Sequence, residues 1–171
     1  ADSLVARWDF DGKDRIKLTK HGAVTETSGP LAPEFPLFST NNRAVRLAGK
    51  GTRLMYPDKE GQFKFRNGDA ITIEAWVRLD GRKVGAPMYV IGKGRTHDAR
   101  FFRNNQNWSL RIIHDGRVAR ANFLFASFAD GSFKWHRWAS QVGFDDKSGW
   151  HHVALAYRFG DPKTIRAWID G

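Results

Sequence analysis

Apolar and polar residues alternate with a period of two along much of the chain. Between Ile71 and Leu79 the odd positions Ile71, Ile73, Ala75, Val77 and Leu79 are apolar, and Thr72, Glu74 and Arg78 stand on the even side with Trp76. That is the pattern of a strand with one face on a core. His151 to Phe159 repeats it, with Val153, Leu155, Tyr157 and Phe159 on one side and His152, Ala154, Ala156 and Arg158 on the other. Ile165, Ala167 and Ile169 alternate with Arg166, Trp168 and Asp170. The runs Leu4–Phe10, Ala44–Ala48, Trp108–Ile113 and Ala121–Phe128 have strand length and composition as well.

Gly- and Asp-bearing turn signals separate these runs. They are Asp11-Gly12, Ala48-Gly49-Lys50-Gly51, Asn67-Gly68-Asp69, Asp80-Gly81, Asp115-Gly116, Asp130-Gly131 and Gly160-Asp161-Pro162. No long stretch carries a 3.6-residue period. Many short strands at short spacing predict an all-β, two-sheet antiparallel sandwich or jelly roll rather than a βαβ fold. Between Lys13 and Thr40 the pattern is least regular. Pro30, Pro33 and Pro36 exclude a central strand, so a long surface connection is expected there. Nothing resembling a linker divides the chain, and residues 1–171 read as one domain.

Composition narrows the classes. At 171 residues the chain can bury a core without covalent staples, and 13% aromatic residues, with seven Trp and thirteen Phe, suit a β-rich one. The absence of cysteine excludes disulfides, thiolate metal sites and Cys nucleophiles. No apolar run approaches the roughly 20 residues that span a bilayer as a helix, so membrane insertion is not expected. Twenty-eight Lys and Arg against 18 acidic residues give a formal charge of +10. Such a field concentrates anionic partners, and it equally serves solubility. The start at Ala1, without initiator Met or leader, suits an exported product after processing or a trimmed fragment.

Several stretches, in order, resemble the laminin-G-like (LamG) members of the concanavalin A-like lectin/glucanase superfamily. They are Leu4–Gly12 with Trp8 and Phe10, Ala44–Gly49, Ile71–Arg78 with Trp76, Tyr89–Gly94, Trp108–Leu110, Trp150–Ala154 and Ala167–Gly171. The segment Trp150-His151-His152-Val153-Ala154, about seventy residues beyond the strand holding Trp76, is the most specific of them. The resemblance implies a jelly roll found mostly as one module of larger secreted, periplasmic or cell-surface proteins, binding glycans, proteins or calcium. Three departures stand out. Arg15 to Lys20 fill the gap between Asp14 and the pair His21-Gly22, where the family often has calcium-friendly residues. Ala48 replaces a usual Asp. The family's last strand, expected after Gly171, is not in this chain, which looks like a domain cut short.

Glycoside hydrolysis needs two carboxylates about one bond. The four Glu (Glu26, Glu34, Glu60 and Glu74) do not form the Glu-x-Asp-x-x-Glu pattern of the superfamily's glucanases, and Glu74 beside Arg78 suggests an ion pair to arginine. No enzyme is expected. His151 and His152, adjacent on a strand, point to opposite faces and cannot readily share a metal; one ring belongs at the core edge and one outside. For calcium, the oxygen donors would be Asp9, Asp11, Asp69, Asp145 and Asp146, and the competing role for all but Asp9 is turn capping.

The binding candidates come from the same alternation. Trp76 and Trp168 fall on the polar-leaning sides of their strands with Glu74, Arg78 and Arg166, where indoles can stack a sugar and the charges can read its substituents. Alternatively, neighbouring chain covers them. A second cluster runs from Phe133 to Trp138, with Trp135 and Arg137 on one side and Lys134, His136 and Trp138 on the other. Ring and cation together suit an acidic glycan or single-stranded nucleic acid, and Lys93, Arg95, Arg100 and Arg103 would lie on a neighbouring loop. No RNA-binding motif is present, which ranks nucleic acid below glycan. The sequence thus points to a non-catalytic module for polysaccharide or cell-surface glycan, anionic glycans included; the alternatives are a structural or protein-binding module and, further off, a degenerate glycoside hydrolase.

Overall fold

The computed structural model describes residues 4–12, 17–80, 86–94, 106–116, 118–129 and 132–171. Among these the chain is all strand, turn and loop, without a helix. It divides into two compact units, residues 1–62 and 63–171.

The first unit is built on one antiparallel ladder between β1 (Thr19–Ser28) and β2 (Arg43–Met55). The prolines Pro30, Pro33 and Pro36 do occupy the connection between these strands, as their missing N–H groups require. Gly29 N–H donates to the Asn42 carbonyl (3.0 Å), and the Asn42 amide donates to the Pro30 carbonyl (3.0 Å), closing the loop at its neck. The expected irregular stretch is therefore shorter than Lys13 to Thr40, because β1 lies inside it. The turn expected at Gly49-Lys50-Gly51 is also absent: those residues run through β2, opposite a register shift between His21 and Ala23. Gly22, Gly49 and Gly51 take φ of 73°, 91° and 81°, which lets a bulge replace a turn. Leu4–Phe10 forms no strand. Leu4 and Val5 are exposed there, and Phe10 has φ of 57°. Alternation specifies a face, but a strand also needs a neighbour for its N–H and C=O groups, and no ladder among the described residues reaches this run.

The second unit is a sandwich of two antiparallel sheets. The smaller has the order β10-β9-β3, formed by β3 (Ala70–Arg78), β9 (Trp150–Arg158) and β10 (Asp161–Ile169). The larger has the order β4-β5-β6-β7, from β4 (Met88–Lys93), β5 (Trp108–Asp115), β6 (Val118–Ala129) and β7 (Ser132–Ala139). The two-residue β8 (Phe144–Asp145) pairs with the start of β6. The core lies between the sheets. Ile71, Ile73, Val153, Leu155, Tyr157 and Phe159 from the small sheet pack on Trp108, Leu110, Ile112, Ala121 and Phe123 from the large one. At its centre Phe123, Phe125, Trp138, Tyr157 and Phe159 form a ring cluster, with Tyr157 at 5.4 Å from both Phe123 and Trp138 and 5.1 Å from Phe159. The predicted inward positions of β3 and β9 are the buried ones, so their even positions form the outer face of the small sheet.

Candidate functional site

Register places the expected residues of the small sheet in rows. Glu74, Ala154 and Trp168 lie side by side across β3, β9 and β10. Beside them, Trp76 pairs with His152; on the other side Thr72, Ala156 and Arg166 form the next row. With strands about 4.8 Å apart, the central strand offers only the methyls of Ala154 and Ala156 between larger side chains of its neighbours. The result is a shallow trough with an alanine floor.

Its two indoles differ. Trp168 is 41% exposed and, among the described residues, meets no ring, cation or hydrogen-bond partner. Trp76 is half-buried, its ring 5.3 Å from that of His152 at a 41° tilt. Glu74 does not pair with an arginine as expected. Its carboxylate meets His152 Nε2 at 3.1 Å, because antiparallel register brings that imidazole diagonally opposite. Arg78 instead bonds Asp80 (2.9 and 3.3 Å) and lays its guanidinium 5.0 Å over the Trp150 ring.

The two adjacent histidines diverge as strand geometry requires. His152 belongs to the trough, while His151 stacks on Phe144 at 4.2 Å near the core edge. His151 Nδ1 lies 2.7 Å from the Asp170 carboxylate and its Nε2 lies 2.8 Å from Ser148 Oγ. This sequence of contacts is that of a nucleophile, its base and an orienting carboxylate. Ser148 Oγ also lies within hydrogen-bond distance of the Asp145 carbonyl (2.5 Å), which competes with the imidazole for the hydroxyl proton. Asp170 also accepts the His152 N–H at 2.9 Å. The network fastens the β8–β9 turn to the end of β10.

The second aromatic cluster divides between two faces. Phe125 pairs with His136 and Phe123 with Trp138, so His136 and Trp138 face inward. Trp138 stacks on Phe125 at 5.3 Å and packs, partly buried, against the core. Trp135 and Arg137 face outward on β7, the guanidinium 5.7 Å over the half-buried indole. At the centre of that outer face Ser109, Arg111, Asn122 and Leu124 are buried. The two outer faces of a sandwich look away from each other, so Trp135 and Arg137 cannot join Trp76 and Trp168 in one site. Arg95, Arg100 and Arg103 lie outside the described residues, as does Asp14.

The five aspartates do not converge. Asp9 accepts from Arg7 (2.8 Å), and Asp11 lies at an exposed bend. Asp69 accepts the Arg66 N–H (2.7 Å) and Asp145 the Lys147 N–H (2.9 Å), both capping turns. Asp146 is buried against His114, at 3.1 Å from Nε2. Parity places His114 inward with Leu110 and Ile112, but only the fold supplies its acidic partner. Among the described residues no three His, Asp or Glu side chains gather at metal-binding distance, so these aspartates do not fit the six to eight oxygens calcium takes. No described helix is long and apolar enough to cross a membrane.

A laminin G family model, described as the concanavalin A-like lectin/glucanases superfamily, matches residues 48–171. No curated protein and no solved structure matches the chain.

Proposed function

This chain belongs to the concanavalin A-like lectin/glucanase superfamily, and from that premise we propose that it is a glycan-binding module of an exported protein, using the outer face of its three-stranded sheet. The observation that carries this reading is Trp168, an exposed indole that meets no ring, cation or hydrogen-bond partner among the described residues and lies beside the alanine floor of Ala154 and Ala156. A large apolar ring left open beside hydrogen-bonding neighbours is what a pyranose face stacks on. Trp76, Glu74 and His152 supply a second ring and polar contacts one row away, so the trough spans more than one sugar unit. The reading assigns no chemistry to the face. Glu74 is engaged by His152, and Asp170 is held by His151 and a backbone N–H, so neither of these carboxylates of the described face is free to flank a glycosidic bond.

Affinity electrophoresis against a panel of neutral and acidic polysaccharides tests the proposal. Trp168→Ala is expected to weaken retardation at least about tenfold, since a central Trp contributes about 2 kcal/mol or more to binding. Its unfolding free energy should change by no more than about 1 kcal/mol, as for an exposed position. Ala154→Gln, which fills the floor, is expected to do the same. Retardation unchanged in both variants contradicts the assignment.

A further inference from the structure

Resting on the reading of this face as a glycan site, we infer that its ligand is an acidic sugar whose anionic group is read by Arg158 and Arg166 at the β9–β10 hairpin end of the trough. Charge is distributed unevenly along the strands. Towards the start of β9 the charged groups engage one another: Glu74 with His152, Asp170 with His151 and Arg78 with Asp80. Towards the hairpin the balance is cationic. Arg166 stands opposite Ala156, and Arg158 follows two residues along β9 on the same face, both exposed.

Each of these arginines is anchored but not neutralised. Arg158 Nη1 donates to the Gly68 carbonyl (3.0 Å). Arg166 Nη1 donates to the carbonyls of Lys163 (2.8 Å) and Ile165 (2.7 Å). Neither meets a carboxylate among the described residues. Asp161, three residues beyond Arg158, is turned into the hairpin and accepts the Lys163 N–H at 3.1 Å, and Lys163 adds a further cation there. A guanidinium carries five N–H donors in a rigid fork, so an anchor through one nitrogen leaves a held set of donors for an anion. Trp168 is two residues from Arg166 on the same face, about 7 Å along the strand. A ring stacked on the indole therefore places its substituent beside the guanidinium. A neutral sugar leaves those donors to water, whereas a carboxylate or sulfate takes charge-assisted bonds from them. The net charge of +10 steers such a ligand in.

The test compares polymers that differ only in charge: polygalacturonate against its methyl ester, and dextran sulfate against dextran, by titration calorimetry at low salt. The uronate and sulfate arms distinguish the two sources of the anion. At least one acidic polymer is expected to bind about tenfold or more tighter than its neutral counterpart, and to weaken steeply with added salt. Arg158→Gln/Arg166→Gln should erase that preference. Lys59→Gln/Lys64→Gln, which removes the same charge from exposed lysines elsewhere, should keep it. Equal binding of the acidic and neutral forms, or equal loss in the lysine variant, overturns the inference and leaves the glycan reading intact. If none of these polymers nor any of the wider panel binds, both fall.

Discussion

At the scale of single residues, side-chain parity was legible and partners were not. Alternation alone put Trp168, Arg166, Glu74, Trp76 and Arg78 on the outward sides of their strands, where the structure has them. It could not show that Glu74 would meet His152, because the two lie 78 residues apart and only register joins them. Nor could it tell which side of β7 faces the core; Trp138 is inward because Phe123, Phe125 and Tyr157 wait there. Tyr157 gives a prediction at this scale. Burial raises its phenol above the usual tyrosine range; a backbone hydrogen bond from Gly160 opposes the shift and the charge of Asp161 adds to it. A raised acid ionises first in the unfolded chain, so stability from this group is flat through neutral pH and falls above about pH 10. Urea unfolding of the protein and of Tyr157→Phe at rising alkaline pH checks this. The wild type should lose stability more steeply than the variant, and parallel losses would contradict it.

Elements were legible where a buried face imposes alternation from end to end. The predicted Ile71–Leu79 and His151–Phe159 became β3 and β9 within a residue, since their odd positions are the core. Thr19–Ser28 was missed because β1 buries none of its residues fully and alternates weakly; its order comes from the ladder to β2. Leu4–Phe10 shows the converse, a strand-like pattern that joins no ladder among the described residues. The glycines of β2 were mistaken for a turn because a bulge and a turn ask for the same backbone freedom. Gly22 tests that interpretation. Its φ is 73°, and an added Cβ would lie 2.9 Å from Thr52 Oγ1 and 3.1 Å from Thr52 Cα. Gly22→Ala is therefore expected to destabilise the β1–β2 unit by roughly 2 kcal/mol. Chemical denaturation followed by amide exchange in β1 and β2 measures it, and an unchanged exchange pattern would argue against a strained bulge.

For the molecule as a whole, the two-sheet fold was legible from strand count, turn spacing and the ordered family-like segments, and the family match bears it out. The candidate residues could be picked out along the chain, but not which of them share a face. The sandwich sends Trp168 and Trp135 to opposite outer faces, the first opposite Ala154 and the second opposite Ala126. Of the aspartates that suggested calcium, Asp69 and Asp145 cap turns, Asp146 meets His114 and Asp9 meets Arg7, because a loop acid without converging neighbours serves its own surroundings first. The proposed sugar site is the outer face of the three-stranded sheet. Titrating isotope-labelled protein with a polysaccharide it retains, and following amide and indole N–H shifts, tests that most directly. Perturbations are expected to concentrate at the Trp168 indole, Trp76, Ala154, Ala156 and Arg166. Shifts confined to Trp135, Arg137 and their neighbours on the five-stranded sheet would contradict it.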